Sequence, residues 1–483
     1  MIQYRAIAYM AGLMLWIFII MLLIPLVMSL WEDGQSTNTF LKSMGITAAA
    51  GTALLIIGKR PDSHISARTG FLLTLVFWFM LPAAAMVPMY LLLGGEDVSF
   101  VDALFESVSA ITTTGATVLS GLDDMPRSVL MYRQMLQWLG GLGIVVLAIT
   151  IAPLMNTRTS HFARIDLGAI HETELAPRII KTAQYLWIIY SLLTLTCAAA
   201  YWVAGMNLFD AIAHAFSTVA IGGFSTHDAS LAYFDSPFIE AVAVVFMLIA
   251  SVNFGLHFRA MFRLQFDHYL FNTELQFFLF YTVALSALVV GVLHFVGDQG
   301  IGEAVRYGVF TTVSFITTTG FASTDHTVFP SVVPFLLVLG ACFGGCGGST
   351  SGGIKSFRIL VLTRQSITQF KKVLHPYGVF HTRAGDENAS PSVIDAILAF
   401  FILYVFVYVV IFLVLMLCGL DFITAFSASG ATLNNAGPGL GDIGGTYETL
   451  PDIAKLVMCL AMLLGRLEIV TLLVLLTPFF WRI

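Results

Sequence analysis

The stretch that decides the fold is Ile111-Thr112-Thr113-Thr114-Gly115, which returns unchanged as Ile316-Thr317-Thr318-Thr319-Gly320. Each copy follows a short apolar segment with an acidic residue at its start. Each copy also lies between two apolar runs that are long enough to cross a membrane. Ala220-Ile221-Gly222-Gly223 and Asn434-Asn435-Ala436-Gly437 occupy the same setting and keep the glycine without the threonines. The sequence therefore predicts one structural unit that occurs four times.

The composition is that of a membrane protein. Of the 483 residues, 58% are hydrophobic and only 11% are charged, whereas soluble domains carry roughly 25% charged residues. The first apolar run, residues 6–31, is too long for a signal peptide and has no cleavage site of small residues, which predicts a retained transmembrane helix. No basic face is present that would bind nucleic acid. The five cysteines lie in apolar or glycine-rich surroundings and indicate neither a disulfide framework nor a metal site.

The order of the segments predicts an all-α polytopic membrane protein. Two leading transmembrane helices are followed by four pseudo-symmetric helix–re-entrant pore loop–helix repeats, about ten full spans in all. The expected units are 1–68 for the two leading helices and then 69–181, 182–273, 274–391 and 392–483 for the four repeats. Most of the lysines and arginines fall on one side of this arrangement, and the positive-inside rule then places both termini in the cytoplasm.

The four short apolar segments are below the ~17–25 residues that a membrane span needs. Interfacial helices and helices buried in the bundle are two possible interpretations, and re-entrant pore helices are a third. A carboxylate at the start of each segment would cap free N–H groups, which favours the third interpretation. A re-entrant helix would also direct its negative C-terminal end at the centre of the bilayer. The four acidic residues are Asp102, Asp210, Glu303 and Asp421.

Irregular backbone at membrane depth is tolerated only where it is buried in protein or lines water. Carbonyl groups that face a common axis would replace the hydration shell of an ion, and glycine permits the backbone angles that this requires. Two adjacent glycines leave the register of the second stretch open by one residue. The expected filter residues are Thr113, Thr114, Gly115, Ile221, Gly222, Gly223, Thr318, Thr319, Gly320, Asn435, Ala436 and Gly437.

A glycine-rich run, Gly344–Gly353, interrupts the second span of the third repeat. Ile354 separates Gly353 from Lys355, and no strand precedes the run, so a phosphate-binding loop is rejected. We expect a broken helix whose loop lies beneath the filter, with a kink for close helix packing as the alternative. The glycines of this predicted gate are Gly344, Gly345, Gly347, Gly348, Gly352 and Gly353.

Arg466 lies inside an otherwise apolar span. An arginine in the middle of a span costs ~2.5–3.5 kcal/mol on insertion scales and usually faces a cavity or a partner. Facing the path, its charge would oppose a cation in transit, which predicts a role in gating. A salt bridge to a neighbouring helix is the alternative. Glu468 is too close along the helix to be that partner.

Together these features resemble the Trk/Ktr/HKT superfamily of cation transporters and, within it, the bacterial TrkH/TrkG potassium-uptake subunits. The resemblance covers essentially the whole chain and rests on TTTGA, AIGGF, TTTGF and NNAGP in that order. It implies potassium as the transported ion, because family members with serine at the first filter glycine tend toward sodium. It also implies that the glycine-rich loop and Arg466 form the gate.

The resemblance further implies a homodimer in the bacterial inner membrane and a cytosolic TrkA-like subunit that binds NAD(H) or ATP. The chain has no nucleotide-binding domain of its own, so no nucleotide cofactor is expected on it. Basic segments that we expect on the inner side are candidate docking surfaces for such a partner. They are Asn156–Lys181, His257–Asn272 and Lys355–Arg383.

The function expected from the sequence is potassium uptake through a channel-like subunit in contact with membrane lipid. A coupled symporter of potassium with protons or sodium is the alternative, and it would need a titratable group on the path, which the four stretches do not supply. An enzyme would need a nucleophile–base pair or a metal constellation, and neither is found in the sequence. Glu106, His214 and Arg306 lie on the short segments, where we expect them to support the filter.

Overall fold

The computed structural model describes residues 2–32, 34, 36–58, 67–93, 98–154, 175–384 and 387–481. Over these residues the protein is a bundle of helices with one small hairpin, in which β1 (Arg383–Ala384) pairs with β2 (Glu387–Asn388) in antiparallel orientation. The predicted all-α polytopic membrane architecture is therefore confirmed for the described part of the chain, apart from this pair of two-residue strands.

Two long helices lead the chain, and a single apolar helix opens each of the four repeats. These six helices are long and apolar enough to cross a membrane, and they are the only unbroken ones that meet this criterion among the described residues. The leading pair is α1 (Tyr4–Glu32) and α2 (Thr37–Ile57). The four opening helices are α3 (Ala67–Leu93), α6 (Leu175–Val203), α11 (Thr273–Phe295) and α15 (Pro391–Leu417).

The segment that closes each repeat is one continuous helix in the first repeat and is divided into shorter helices in the other three. In the first repeat it is α5 (Arg127–Leu154), and in the third a loop divides it into α13 (Val332–Phe343) and α14 (Ser356–Leu374), as the glycines predict. The apolar runs at 238–258 and 453–481 also predict closing spans, and the structure divides each of them into shorter helices. The second repeat has α8 (Pro237–Ala250) and α9 (Phe254–Arg263), bent by 91°, followed by α10 (Asp267–Phe271). The fourth has α17 (Asp452–Arg466), α18 (Val470–Leu476) and α19 (Pro478–Trp481).

A local change in the backbone marks each break. In the second repeat, the Asn253 side chain accepts a hydrogen bond from the N–H of Gly255 at 2.7 Å and so starts a new helix. In the fourth repeat, Glu468 and Ile469 have φ angles of 53° and 24°, which a helix cannot continue through. Neither break contains a proline or glycine that would announce it in the sequence.

Four short helices lie between the long helices of their own repeats, each packed against both. They are α4 (Phe100–Ile111), α7 (Leu208–Ala220), α12 (Ile301–Ile316) and α16 (Phe422–Leu433). A glycine stretch and then a short 3-10 turn follow each of them. The 3-10 turns are Leu122–Asp124, Ser230–Phe234, His326–Val328 and Gly441–Ile443.

The short helices are capped differently from the prediction. Ser99 and Asn207 are the capping residues of α4 and α7, and each accepts from an N–H three residues on. Asp102 and Asp210 lie inside the first turn instead, where their charge complements the helix dipole. Asp102 nevertheless accepts from the free N–H of Ser99 at 3.1 Å, and Asp421 is itself the capping residue and accepts from two N–H groups of α16. Glu303 lies in the first turn of α12, whose capping residue is Gly300.

The surface of the long helices is apolar on the side away from the bundle, as expected where lipid surrounds a protein. Ile20 of α1, Leu195 of α6, Phe280 of α11 and Phe406 of α15 are each more than 60% exposed. The short helices, by contrast, bury nearly all of their residues after the first turn. The glycine stretches are therefore enclosed by protein at the centre of the bundle.

Candidate ion path

The four glycine stretches (113–115, 221–223, 318–320 and 435–437, here called the first to fourth stretch) share one backbone conformation. The first residue of each stretch has a positive φ: 52° at Thr113, 55° at Ile221, 63° at Thr318 and 54° at Asn435. The last residue is a glycine with a φ of 83°, 78°, 85° or 82°. Non-glycine residues rarely adopt such angles, and they cluster at functional sites.

Hydrogen bonds fix the register of the four stretches. The middle N–H of every stretch donates to a carbonyl five residues earlier, on the preceding short helix, at 2.8 or 2.9 Å. In the second stretch this N–H belongs to Gly222, so the glycine equivalent to Gly115 is Gly223. The ambiguity left by the two adjacent glycines is thereby resolved.

The stretches form a closed ring. A Cβ atom built on Gly115 would overlap the carbonyl oxygen of Gly222, and one built on Gly223 would overlap that of Thr319. In the same way, Gly320 faces the carbonyl of Ala436, and Gly437 faces the carbonyl of Thr114. The contacts pass from the first stretch through the second, third and fourth and back to the first. Only glycine fits at these four positions because a neighbouring backbone occupies the space of a side chain.

Most carbonyl groups in the ring have no hydrogen-bond donor. Among the described residues, donors reach two of the twelve: the Gln137 amide contacts the carbonyl of Gly222 at 2.7 Å, and the Tyr447 hydroxyl contacts that of Gly437 at 2.6 Å. Ten buried or nearly buried carbonyls are thus left for another partner, whereas more than 90% of buried backbone groups in proteins are paired. Rings of such carbonyls coordinate cations in selectivity filters.

The side chains of three stretches are fixed by partners within the ring or next to it. The hydroxyls of Thr112 and Thr114 are 2.7 Å apart, and the pair Thr317 and Thr319 repeats this contact at 2.8 Å. In the fourth stretch, the amide of Asn435 donates to Thr114 Oγ1 at 2.9 Å. These polar side chains are used to hold the backbone in its shape.

A buried ion pair supports the chain beyond the first stretch. Arg133 Nη2 lies 2.6 Å from Glu106 Oε1, and both side chains are 1% exposed. Glu106 also accepts from the Thr117 hydroxyl at 3.1 Å and from the N–H of Val118 at 3.0 Å. The Arg133 guanidinium lies over the Phe224 ring, 4.2 Å from its centroid. The pair therefore connects α4, α5 and the ends of the first two stretches.

The other stretches are supported by smaller groups. His214 is equivalent to Glu106 in the second repeat, and its Nε2 lies 2.9 Å from Ser225 Oγ. In the third repeat Ser314 Oγ donates to the Phe321 carbonyl at 2.7 Å, and in the fourth Ser427 Oγ donates to the Leu440 carbonyl at 3.1 Å. Arg306 pairs with Glu240 and Asp235, both at 2.8 Å, on the outer side of the bundle. Its described contacts do not include the ring.

The glycine-rich loop 344–353 lies against the third and fourth stretches. The N–H of Gly352 donates to Thr318 Oγ1 at 2.7 Å, and Ser351 Oγ donates to the carbonyl of Thr317 at 2.8 Å. A Cβ atom on Gly352 would overlap the carbonyl of Asn434. This segment is an extended loop between two helices, so the alternative of a simple kink does not describe it.

The far side of the loop is held by the second and third repeats. Glu274 of α11 accepts from the N–H of Gly347 at 2.6 Å and from Ser356 Oγ at 3.1 Å. The N–H of Cys346 donates to the Ser251 carbonyl at 2.9 Å, at the break between α8 and α9. The broken second span, which the sequence reasoning missed, thus provides a binding surface for the loop.

Arg466 connects the loop to the ring. It is the last residue of α17 and is 9% exposed. Its Nη2 donates to the Thr113 hydroxyl and, at 3.1 Å, to the carbonyl of Thr350. Glu468 pairs with Arg358 at 2.8 Å instead, in agreement with the expectation that it is not the partner of Arg466. The guanidinium of Arg466 therefore lies between the first stretch and the glycine-rich loop.

The sequence reasoning missed the polar face of α5. Arg133 and Gln137 are one helical turn apart, and both contact the second stretch or the residues directly after it. The signal was present as Arg-Gln-x-x-Gln within an otherwise apolar span. Polar side chains inside a membrane span are rare and usually face a partner.

Catalytic and metal chemistry have no comparable basis in the described residues. No group of three or more His, Cys, Asp or Glu side chains there is placed to hold a metal ion. Ser349 Oγ donates to the Cys346 carbonyl at 2.6 Å, and Ser351 contacts the third stretch. These serines hold the loop in its shape.

The enclosed ring of unpaired carbonyls within a membrane bundle defines a cation transport protein. The family model for TrkH, described as a cation transport protein, matches residues 36–483, and this chain belongs to that family.

Its relatives match over nearly their whole length. It is 43% identical over 485 residues to the Trk system potassium uptake protein TrkH of Vibrio parahaemolyticus, covering 99% of this chain and 100% of that one. It is 36% identical over 483 residues to TrkG of Escherichia coli strain K12, covering 99% of each. The crystal structure of the potassium transporter TrkH from Vibrio parahaemolyticus superposes with a TM-score of 0.92 at 42% identity, covering 100% of both chains.

Proposed function

We propose that this chain takes up potassium across the bacterial inner membrane as the channel-like translocating subunit of a Trk system. The observation that carries the proposal is the closed ring of four stretches whose carbonyls lack donors among the described residues. Relatives with 36–43% identity are named potassium uptake proteins, which is consistent with potassium as the cation.

The ring acts as the selectivity filter in this proposal. Its carbonyl oxygens replace the hydration shell of a cation, so that the ion loses water without losing ligands. The four glycines keep the centre of the ring free of side chains. Thr113, Ile221, Thr318 and Asn435 hold the unusual backbone angles through their neighbours rather than through contact with the ion.

The glycine-rich loop and Arg466 form the gate. A positive charge beside the ring raises the energy of a cation on the path, most strongly where protein excludes water. Single hydrogen bonds from N–H groups and hydroxyls hold the loop at both ends. Thr350, which accepts from Arg466, and Ser356, the first residue of α14, belong to one continuous segment of chain. A displacement of α14 would therefore pull Thr350 away from Arg466.

The assembly proposed is a homodimer in contact with membrane lipid, with both termini in the cytoplasm and a TrkA-like nucleotide-binding partner on the cytosolic side. The end of α14 suits a partner because Phe370, Val373 and Leu374 are exposed beside Lys371 and Lys372. Within the candidate segment Asn156–Lys181, residues 156–174 lie outside the described residues. The four repeats 69–181, 182–273, 274–391 and 392–483 are the units of this arrangement.

The experiment that tests the proposal is ion flux into liposomes that contain this chain alone. We expect potassium to move down its gradient faster than sodium, while protein-free liposomes move neither. Equal rates for the two ions would contradict the filter. A potassium flux that stops when the proton and sodium gradients are removed would favour the coupled symporter instead.

A further inference from the structure

The second stretch differs from the other three in how its backbone is held. Gln137 Nε2 donates to the carbonyl of Gly222 at 2.7 Å, and the N–H of Phe224 donates to Gln137 Oε1 at 3.1 Å. The equivalent carbonyls belong to Thr114, Thr319 and Ala436. No donor among the described residues reaches any of these three.

The sequence of the second stretch makes room for this contact. A Cβ atom built on Gly222 would overlap the amide group of Gln137. Unlike Gly223, Gly222 does not have a positive φ. Glycine is therefore needed at position 222 to leave room for the Gln137 amide, and not to allow an unusual backbone angle. The equivalent positions of the other stretches carry threonine or alanine. Among the described residues, the Asn435 amide reaches the hydroxyl of Thr114, but no amide reaches the carbonyl of any of the three.

The orientation of the amide follows from its two partners. The N–H of Phe224 is a donor, so the atom that faces it must be the amide oxygen, and the amide nitrogen must then face the Gly222 carbonyl. Gln137 is fully buried, and α5 also carries Arg133, which donates to the carbonyl of Ser225 at 3.3 Å. Helix α5 thus holds the second stretch at Gly222 and the chain directly after it at residues 224 and 225.

We propose that Gln137 is a positioning residue that determines ion specificity by fixing the carbonyl of Gly222 in the ring. The proposal rests on the proposed function of the ring as a potassium filter. A smaller cation such as sodium requires its ligands to move inward. The hydrogen bond from the Gln137 amide restrains the carbonyl of Gly222 against that movement. The second lone pair of the carbonyl oxygen remains free for an ion. Loss of the amide would let this side of the ring close on sodium.

Two substitutions separate the donor from the side chain as a whole. Gln137→Glu keeps the size and the acceptor for Phe224. Measured at about pH 9, so that the carboxyl is ionised and has no O–H, it removes the donor to Gly222. Gln137→Met keeps the approximate size and removes both. We expect each variant to lower the ratio of potassium to sodium flux in liposomes about fivefold, the ratio that corresponds to one ordinary hydrogen bond. The maximal potassium flux should change less than the ratio, which a merely structural role would not produce.

Gln134→Met is the matched control. Gln134 is a fully buried glutamine on the same helix, but it accepts from the hydroxyl of Ser217 on α7 and has no described contact with the ring. This variant should lose thermal stability without a change in the flux ratio. An unchanged ratio in Gln137→Glu, or an equal fall in Gln134→Met, would overturn the proposal. If Gln137→Met does not fold, Gln137→Glu alone decides, because glutamate has the shape of glutamine.

Gly115→Ser distinguishes this proposal from the proposed function. A fall in the flux ratio in Gly115→Ser with no fall in either Gln137 variant would leave the filter in place and remove the role of Gln137. No fall in Gly115→Ser would remove the filter itself.

Discussion

The first two repeats and the last two build the same ring with different supports. Behind the first and second stretches lie ionised or titratable groups, Glu106 with Arg133 and then His214. Among the described residues, the third and fourth stretches are supported by the hydroxyls of Ser314 and Ser427, and no buried ion pair lies behind them. The hydroxyl of Tyr447 and the imidazole of His326 contact the carbonyls of Gly437 and Gly439 at 2.6 and 3.0 Å. The φ angles of the first and of the last residue of the four stretches nevertheless agree within about ten degrees. The repeats therefore share a backbone conformation, and each has its own means of holding it.

On the inner side of the ring, the glycine-rich loop contacts the four stretches unequally. The glycine-rich loop contacts the third stretch through Thr317 and Thr318 and lies against Asn434 beside the fourth. The first stretch meets the loop only through the side chain of Arg466 among the contacts described above. The loop also contacts the second repeat, because the Thr350 hydroxyl donates to the carbonyl of Val219 at 3.2 Å and the N–H of Cys346 donates to that of Ser251 at 2.9 Å. The described contacts of the loop thus fall on the last three repeats, and Arg466 links it to the first.

The largest expected effect comes from the buried ion pair of the first repeat. Arg133→Gln leaves the Glu106 carboxylate buried and unpaired, and we expect a loss of about 3–5 kcal/mol in the free energy of unfolding. Ser314→Ala, which removes the hydroxyl that donates to Phe321 beyond the third stretch, should cost only about 1 kcal/mol. Chemical unfolding in detergent measures both. The double variant Glu106→Gln/Arg133→Gln should recover much of the loss, and equal losses in Arg133→Gln and Ser314→Ala would contradict the comparison.

The next effect concerns the gate. Arg466→Ala removes the charge beside Thr113 and should raise the flux of the chain alone at least about tenfold, the change that a barrier lower by about 1.4 kcal/mol produces. Lys455→Gln is the control, since Lys455 lies on the same helix, pairs with Asp102 at 2.6 Å and has no described contact with the loop. A flux at the wild-type level in Arg466→Ala would remove the gating role.

The smallest effect is a dependence of stability on pH at the outer side of the first two repeats. His227 Nδ1 lies 2.5 Å from Asp123 and its Nε2 lies 3.2 Å from Asp210, so a doubly protonated ring satisfies both carboxylates. Burial lowers the pKa of His227, but the hydrogen bonds to Asp210 and Asp123 outweigh it and leave the pKa above the ordinary value. His214 and Tyr233 are the other titratable groups whose rings face it.

A raised pKa in the folded state means that the contribution of His227 to stability is complete below its ordinary pKa of about 6.5 and is lost as the pH rises through the raised value. Wild type should therefore melt at a higher temperature than His227→Gln at about pH 6, and the difference should shrink at about pH 9. A difference that grows with pH would show that the sign is wrong.

The sequence was sufficient for the four short helices. The apolar segments 100–110, 208–220, 301–316 and 422–433 predict their bounds, and the structure differs only by one residue, at Ile111. Their length and the glycines that follow are local signals. The supports of the ring could not be predicted, because Gln137 and Gly222 are 85 residues apart and only the fold brings them together. The breaks at Ser251 and Glu468 were missed for a related reason, since their irregular backbone is stabilised by contacts with distant segments.

The measurement that tests the central claim most directly is the ratio of potassium to sodium flux in Gly115→Ser and Gly320→Ser. Each serine would place a Cβ atom against a carbonyl of the next stretch, that of Gly222 or that of Ala436. Gly121→Ser is the control, because Gly121 also has a positive φ, 72°, but has nothing within 4 Å of an added Cβ. The ring account predicts a lower ratio in both ring variants and an unchanged ratio in the control. A wild-type ratio in both ring variants would contradict it.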